Sequence, residues 1–208
     1  MNGTHIYTYG VVDDEEFELD VTGVDGGTPI RTVRYRTLSA VVSDVDTLEP
    51  ERSDENVRAH DEVLREVMTF GDGRTAVPMR FGMVFKSGRA LKNVLRSGRR
   101  AFRKALLDVD GTVELGVKVV VDEGEAVDEA ALQSIADRLA AAAERDVEND
   151  LFSDRLALNR AYLVASDDRE AFSETVRAVR DDHDGVTVRY SGPWAPYSFV
   201  DIEVGAAQ

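Results

Sequence analysis

The stretch that most constrains the fold lies near the C-terminus and reads Ser191-Gly192-Pro193-Trp194-Ala195-Pro196-Tyr197-Ser198-Phe199-Val200. It contains the only tryptophan of the chain and two of its five prolines. Proline lacks a backbone N–H and fixes its φ angle, so Pro193 and Pro196 together exclude a helix here. Apolar residues then continue from Ser198 to Val204 in a strand-like pattern. We expect this last segment to close a sheet.

The composition is that of a globular protein that folds without covalent cross-links. Its 208 residues, 43% of them hydrophobic, suffice for one large domain or two small ones. The absence of cysteine excludes disulfides, thiol catalysis and thiolate metal ligands. No apolar run reaches the roughly 18–20 residues of a membrane-spanning helix, and the N-terminus lacks the apolar region of a signal peptide. These features predict a soluble, cytoplasmic protein.

The net charge of −15 has two interpretations: a surface that binds a basic partner, or adaptation to a very salty cytoplasm. Lysine distinguishes them, because it occurs only at Lys86, Lys92, Lys104 and Lys118 while arginine supplies the other basic residues. Scarce lysine beside abundant Asp and Glu is typical of extreme halophiles. The acidity also argues against nucleic acid as a partner, since phosphate binding requires a basic surface.

Periodicity divides the chain into two halves near Asp110-Gly111. In the first half, β-branched and aromatic residues predict a strand at His5–Val12, one or two strands within Arg31–Val45, and a strand at Thr75–Phe81 with Pro78 at a sheet edge or bulge. Helical spacing of apolar residues predicts helices at Glu51–Phe70, ended by Gly71-Asp72-Gly73, and at Ser87–Asp108.

The second half repeats the mixture of strands and helices. Its predicted strands are Thr112–Asp122, Leu156–Ala165, Val186–Tyr190 and Ser198–Val204. Its predicted helices are Asp128–Asn149 and Arg169–His183. The prediction is an α+β protein with two small α+β domains, at residues 1–110 and 111–208. The order β-α-β-α-β-β makes the second a modified ferredoxin-like sandwich.

The chain contains residues that can act in catalysis, such as histidine, but not in the spacing of a known catalytic or metal-binding motif. The histidines His5, His60 and His183 match no metal-binding motif, and we expect His60 and His183 at the surface. Gly71-Asp72-Gly73-Arg74 lacks the third glycine of a nucleotide loop, and no G-x-S-x-G turn occurs. We therefore predict no catalytic residues, no metal site and no cofactor.

Two segments contain candidate residues for partner binding. Either Arg80, between Met79 and Phe81, presents its guanidinium on an apolar binding rim, or Met79 and Phe81 lie in the core while Arg80 pairs with a local carboxylate. In the C-terminal stretch the candidates are Pro193, Trp194, Tyr197 and Phe199. Their rings either anchor an interface or fill one end of the sandwich.

A third candidate surface is a basic stripe on one side of the second predicted helix. The basic stripe consists of Arg89, Lys92, Arg96, Arg99, Arg100 and Arg103. Acidic segments of the same fold could neutralise it, or it could dock an acidic partner. Arg96 and Arg99 are its candidate contact residues.

Several segments resemble the gas vesicle protein F/L family, whose members help to build gas-filled protein shells inside cells. The similar segments occur in family order and are His5–Val12, Leu38–Ser43, His60–Met68, Ala76–Phe85, Val113–Val119 and Ser191–Val200. The length is similar to that of the shorter F members. One departure is Ala195, where the family pattern has a third proline.

The resemblance implies an α+β accessory protein for gas vesicle assembly that acts in the cytoplasm, associated with gas vesicles or their precursors. It implies binding of the small hydrophobic shell protein and of other accessory proteins, with no catalysis, no cofactor and no lipid membrane. The residues alone leave a second possibility open, a ferredoxin-like module that binds a small ligand or regulates another protein.

Overall fold

The computed structural model describes residues 4–70 and 73–202 and shows mixed helices and sheets, as predicted. Contacts divide the chain into two units after Asp110 and again after Trp194, and the segment that begins at Ala195 belongs to the first unit. The domain predicted at residues 111–208 differs from this division for a physical reason. Ala195 packs into a core cluster of the first unit, and Tyr197 hydrogen-bonds to Asp61 there.

The first unit is built on an antiparallel sheet with the order β2-β3-β4-β1-β5, and β6 also pairs with β1. The strands are β1 (His5–Asp13), β2 (Glu18–Leu19), β3 (Ile30–Tyr35), β4 (Leu38–Val45), β5 (Val77–Pro78) and β6 (Val84–Phe85). The strand predicted at Thr75–Phe81 is thus only two residues long. Pro78 lies at the sheet edge, where its missing N–H costs no ladder bond.

Both faces of this sheet are covered by helices, because alternate residues of β4 enter different cores. Val41 and Val45 join a cluster with residues of α1 (Asp54–Thr69). Leu38, Ala40 and Val42 join a second cluster with residues of α2 (Gly88–Ser97) and α3 (Arg99–Asp108). Strand side chains alternate between faces, so α1 lies on one face and α2 and α3 on the other.

Local signals set the starts of these helices. The Ser53 side chain accepts from the Asn56 N–H at the start of α1, and Ser87 accepts from Ala90 at the start of α2. Phe70 caps the end of α1. Of the predicted stop signal, Gly71 and Asp72 lie outside the described residues.

The single helix predicted at Ser87–Asp108 is two helices that meet at Gly98. Gly98 caps α2 with a non-helical ψ of 3°. A Cβ there would lie 2.8 Å from the ring of Phe102, which is fully buried. Only glycine allows this ring to pack against the backbone at the junction.

The second unit is a four-stranded antiparallel sheet with the order β10-β7-β9-β8. Its elements are β7 (Thr112–Val121), α4 (Glu129–Ala141), β8 (Arg145–Glu148), β9 (Leu156–Ala165), α5 (Arg169–Asp182) and β10 (Val186–Trp194). The helices contact each other, and α4 contacts β9 while α5 contacts β9 and β10. Phe172 of α5 packs against Tyr162 of β9 and Tyr190 of β10, with ring centroids 5.3 and 6.2 Å away.

The order of elements in this unit is β-α-β-β-α-β, so the predicted order β-α-β-α-β-β is wrong at two places. The helix predicted to run to Asn149 ends at Ala141, and β8 follows it. The charged residues of β8 show no strand pattern, but Arg160 of β9 pairs with Asp146 and Glu148 across the ladder. The ferredoxin-like description of this unit stays a prediction.

The prediction of a strand at Ser198–Val204 is also wrong for residues 198–202, which the structure describes. Tyr197–Phe199 form a short 3₁₀ turn, residues 200–202 join no sheet, and Glu203 and Val204 lie outside the described residues. The sheet ends instead with β10, which continues to Trp194 through an irregularity after Ser191. Gly192 allows it with a φ of +114° and a Cβ position only 2.8 Å from the Glu114 carbonyl oxygen.

Candidate partner-binding site

An aromatic cluster lies between β1 and α1 of the first unit. Tyr7 and Tyr9 come from β1 and His60 from α1, while Phe81 and Tyr197 come from irregular segments. The ring of His60 lies 5.6 Å from Tyr7, 5.9 Å from Phe81 and 6.3 Å from Tyr197, measured between centroids. We refer to these five residues as the aromatic cluster.

The His60 ring is hydrogen-bonded to Tyr7. The Gly82 N–H donates to the Tyr7 hydroxyl oxygen at 3.1 Å, and that oxygen lies 2.8 Å from Nδ1 of His60. A hydroxyl can accept two hydrogen bonds and donate one, so the direction of the bond between Tyr7 and Nδ1 depends on the tautomer of the imidazole.

Burial dominates the electrostatics of this histidine. Its side chain is 2% exposed, and burial lowers the pKa of His60 from 6.5 to about 4, against a smaller opposing effect of a backbone hydrogen bond with Met79. The prediction that His60 lies at the surface is wrong. His60 shares its helical stripe with the buried residues Val63, Leu64 and Val67, and this spacing was the available signal.

The other polar groups around the aromatic cluster are held by specific partners. Burial raises the pKa of Tyr7 and of Tyr9, so both hydroxyls stay neutral. The Val24 N–H donates to the Tyr9 hydroxyl at 3.0 Å, and that hydroxyl lies 2.8 Å from Ser43 Oγ. Burial also raises the pKa of Asp61, opposed by the hydrogen bond from Tyr197.

The candidates Arg80 and Phe81 separate into an exposed residue and a partly buried one. Phe81 packs against the buried core cluster that contains Tyr7 and Tyr9, and the guanidinium of Arg52 lies 5.7 Å from its ring centroid. Met79 is buried, and Arg80 is exposed. Met79 thus lies in the core and Phe81 at its edge, and partner binding by Arg80 and Phe81 stays a prediction.

The C-terminal candidates divide between the two units. Pro193 and Trp194 end β10 of the second unit, where the indole N–H of Trp194 donates to Ser191 Oγ at 3.3 Å. Tyr197 and Phe199 belong to the first unit. The Tyr197 hydroxyl donates to Asp61 Oδ1 at 2.9 Å, and Phe199 is buried. The structure thus brings Phe81 and Tyr197 together at His60.

The basic stripe is carried by two helices. Arg89, Lys92 and Arg96 belong to α2, whereas Arg99, Arg100 and Arg103 belong to α3. Among the described residues none of these six forms a direct ion pair, and docking of an acidic partner by Arg96 and Arg99 stays a prediction. The α2 part borders a groove of about 590 Å³ against β3.

Two other kinds of site are absent from the described residues. Within residues 4–70 and 73–202, no group of three or more His, Cys, Asp or Glu side chains is arranged to hold a metal ion. In the same residues, no helix combines the length and the apolar character needed to cross a bilayer.

Comparison with models of protein families identifies the family of this chain. The family model described as "Gas vesicle synthesis protein GvpL/GvpF" matches residues 5–134 and 122–201. The chain belongs to the GvpL/GvpF family. The resemblance inferred from short sequence segments is therefore confirmed.

Family members from halophilic archaea are similar to this chain over almost its entire length. Gas vesicle protein F of Haloferax mediterranei is 52% identical and aligns over 98% of this chain and 97% of its own. Gas vesicle protein F1 of Halobacterium salinarum is 51% identical over 98% and 96%. Their sources agree with the halophilic interpretation of the acidic composition.

A solved GvpL/GvpF structure has the same fold. The crystal structure of GvpF from Anabaena sp. PCC7120 superposes with a TM-score of 0.85 over 96% of this chain and 97% of that chain, at 21% identity. This similarity extends across both units, so the α+β arrangement is a property of the family fold.

Proposed function

We propose that this protein is an accessory protein for gas vesicle assembly that binds the small hydrophobic shell protein and other accessory proteins. The match of the GvpL/GvpF family model to nearly the whole chain carries this proposal. We further propose that it acts in the cytoplasm, on gas vesicles or their precursors, as a binding protein without catalysis.

The physical need for such a protein follows from the shell. A subunit that will form a wall excluding water exposes apolar surface before it is assembled, and exposed apolar surface promotes aggregation. A strongly charged protein with a limited apolar contact area can cover that surface and release it. The net charge of −15 provides the first property.

Two neighbouring exposed apolar residues provide the limited apolar contact area. Leu151 and Phe152, in the loop between β8 and β9, are 54% and 73% exposed. Lys118 Nζ lies 4.9 Å from the ring centroid of Phe152. We assign shell-protein contact first to this pair, because adjacent apolar side chains can be covered together.

The residues proposed from the sequence remain secondary candidates, ranked by their accessibility. Arg80 and Arg96 are exposed, and Phe81, Arg99, Pro193, Trp194 and Tyr197 are partly exposed. Phe199 is buried, so its contribution is to hold the segment that carries Tyr197.

Capture of the shell protein in molar KCl tests the proposal. The tagged wild-type chain should retain co-expressed shell protein. Replacing Leu151 and Phe152 by Asp should lower capture more than tenfold, since burying each large apolar side chain contributes about 1.5–3 kcal/mol. The matched control is Leu107→Asp on α3, which is also 73% exposed in the wild type and should leave capture unchanged.

Charge reversal provides the contrasting variant. Arg96→Glu with Arg99→Glu should weaken capture only slightly, because exposed ion pairs contribute about 0–1 kcal/mol and molar salt screens distant charges. Capture that depends on these arginines and not on Leu151 and Phe152 contradicts the apolar mechanism. Absence of any capture by the folded wild-type chain contradicts the proposed function.

A further inference from the structure

A groove between β3 and α2 of the first unit combines an apolar floor with a basic wall. Its volume is about 590 Å³. The floor is formed by Ile6 of β1 with Val33 and Tyr35 of β3, which pack against the core cluster and remain partly exposed. The wall is formed by α2. We refer to this feature as the α2–β3 groove.

The charge of the α2–β3 groove is opposite to that of the whole chain. Arg89, Lys92 and Arg96 line its wall, are exposed, and form no ion pair with any of the described residues. Arg31, at the other side, pairs with Asp44 at 2.5 Å. Although the net charge of the chain is −15, no carboxylate within residues 4–70 and 73–202 pairs with these three neighbouring cations. Charge complementarity therefore points to an anionic occupant.

The spacing of the three cations indicates the shape of that occupant. Positions 89, 92 and 96 follow one edge of α2 and span about 10 Å at the rise of roughly 1.5 Å per residue. A second helix laid along α2 presents carboxylates at the same intervals of three and four residues. Its apolar side would then cover the floor, as in other complexes in which a helix fills a groove.

We propose that the α2–β3 groove binds an acidic amphipathic α-helix of a partner protein. Carboxylates along one edge of that helix contact Arg89, Lys92 and Arg96, and its apolar stripe covers Ile6, Val33 and Tyr35. This inference goes beyond shell-protein binding, because it assigns a different surface and a partner of different chemistry.

Two labelled model peptides provide the probe. Both are helical, of about 20 residues so that the helix persists in solution, and have the same leucine and alanine positions. One carries Glu and the other Lys at three edge positions with the spacing i, i+3, i+7. In 1 M KCl the Glu peptide should bind saturably, with a Kd below about 1 mM, and the Lys peptide about tenfold more weakly or not at all.

A pair of double variants locates the binding. Arg89→Glu with Lys92→Glu should weaken Glu-peptide binding about tenfold or more. The control is Arg100→Glu with Arg103→Glu. These occupy the same positions within α3 that Arg89 and Lys92 occupy within α2, are also exposed, and lie outside the groove. All four side chains are exposed, and an acidic residue at position 89 or 100 is favourable in the first turn of its helix, so both variants should fold.

A fluorophore provides a readout that does not depend on charge variants. The chain has no cysteine, so Asn93→Cys on the groove wall and Ala101→Cys on α3 can each be labelled at a single site. The Glu peptide should change the emission of the label at position 93 and not that at position 101.

Four results overturn the proposal. Three of them are equal binding of the Glu and Lys peptides, equal loss of binding in the two double variants, and no response of the position-93 label at saturating Glu peptide. A fourth is self-association of the wild-type chain that the Arg89→Glu, Lys92→Glu variant abolishes, since the occupant would then be a second copy. Saturable, Glu-specific binding that is lost only in the groove variant supports it.

Discussion

Among single side chains, His60 determines how the first unit responds to acid. It is neutral, buried in the aromatic cluster and bonded to the Tyr7 hydroxyl. In the unfolded chain its pKa is near 6.5, whereas in the folded protein it is about 4. Between these values the unfolded state binds a proton that the folded state does not, so acidification favours unfolding.

We expect His60 to remove about 3 kcal/mol of the free energy of unfolding as the pH falls from 7 to 4, and the loss levels off below pH 4 as the folded state also becomes protonated. Asp61 acts in the opposite direction, because burial raises its pKa in the folded state. Denaturant unfolding in molar KCl across this pH range measures the change. The His60→Gln variant removes both the titration and the ring contacts, so it should be less stable at every pH, with a flatter pH dependence than the wild type. Equal pH dependence in the two proteins contradicts the burial of a neutral imidazole.

A second prediction concerns the hydrogen bond from Tyr197 to Asp61. Tyr197→Phe keeps the ring and removes the donor, so the free energy of unfolding should decrease by about 1–2 kcal/mol. The pKa of Asp61 should rise further, because this hydrogen bond lowers it.

Thermal unfolding and NMR titration of Asp61 measure these two effects. Tyr35→Phe is the control, since its hydroxyl forms no hydrogen bond within the described residues. An equal change of stability in both variants would show that the Tyr197 hydroxyl does not anchor the C-terminal segment.

Among the elements, the junction of α2 and α3 depends on one glycine. Glycine in a helical region usually costs about 0.5–1 kcal/mol relative to alanine, so its replacement by alanine is ordinarily stabilising. At Gly98 the added Cβ would meet the buried Phe102 ring at 2.8 Å, and this contact reverses the sign.

We therefore expect Gly98→Ala to lower the free energy of unfolding by about 1–3 kcal/mol through overpacking. Gly88→Ala, in the first turn of α2, is the matched control because its nearest neighbour is an Ile6 carbon at 3.8 Å. That variant should be neutral or slightly stabilising. Denaturant unfolding of both proteins gives the comparison, and a stabilised Gly98→Ala would contradict the close packing of Phe102.

Periodicity predicted most elements, and long-range packing explains the others. Apolar spacing gave α1, α5, β7 and β9 because their buried faces repeat along the chain. β8 is held by ion pairs with β9, and such pairing leaves no local pattern. The sequence of Ser198–Val204 is apolar enough to predict a strand, yet Tyr197, just before it, is hydrogen-bonded to Asp61 of α1, and residues 198–202 form no strand.

The candidate sites could also be predicted only in part. The sequence indicates Phe81 and Tyr197 as separate candidates. Their contact with the same residue, His60, could not be predicted, because Tyr197 lies more than 100 residues from the other two in the chain. The basic stripe was visible as a spacing along the chain. The groove beside it was not, because its floor comes from β1 and β3.

For the whole molecule, the net charge of −15 makes stability depend on salt. Carboxylates repel one another over a Debye length of about 30 Å at 0.01 M salt and about 3 Å at 1 M. We expect the fold to loosen in dilute buffer and to recover in molar KCl, with a melting temperature at least about 5 °C higher in salt. Circular dichroism with thermal melts measures both effects. Equal stability in the two buffers would contradict the halophilic interpretation.

The proposed function gives this GvpL/GvpF family member a part in gas vesicle assembly. Electron microscopy of cells in which the gene is deleted and then returned on a plasmid measures that part. We expect few or no gas vesicles after deletion, recovery with the wild-type gene, and weaker recovery with the Leu151→Asp, Phe152→Asp variant than with Leu107→Asp. Gas vesicles of normal number and shape in the deletion strain would show that the protein is not needed for assembly.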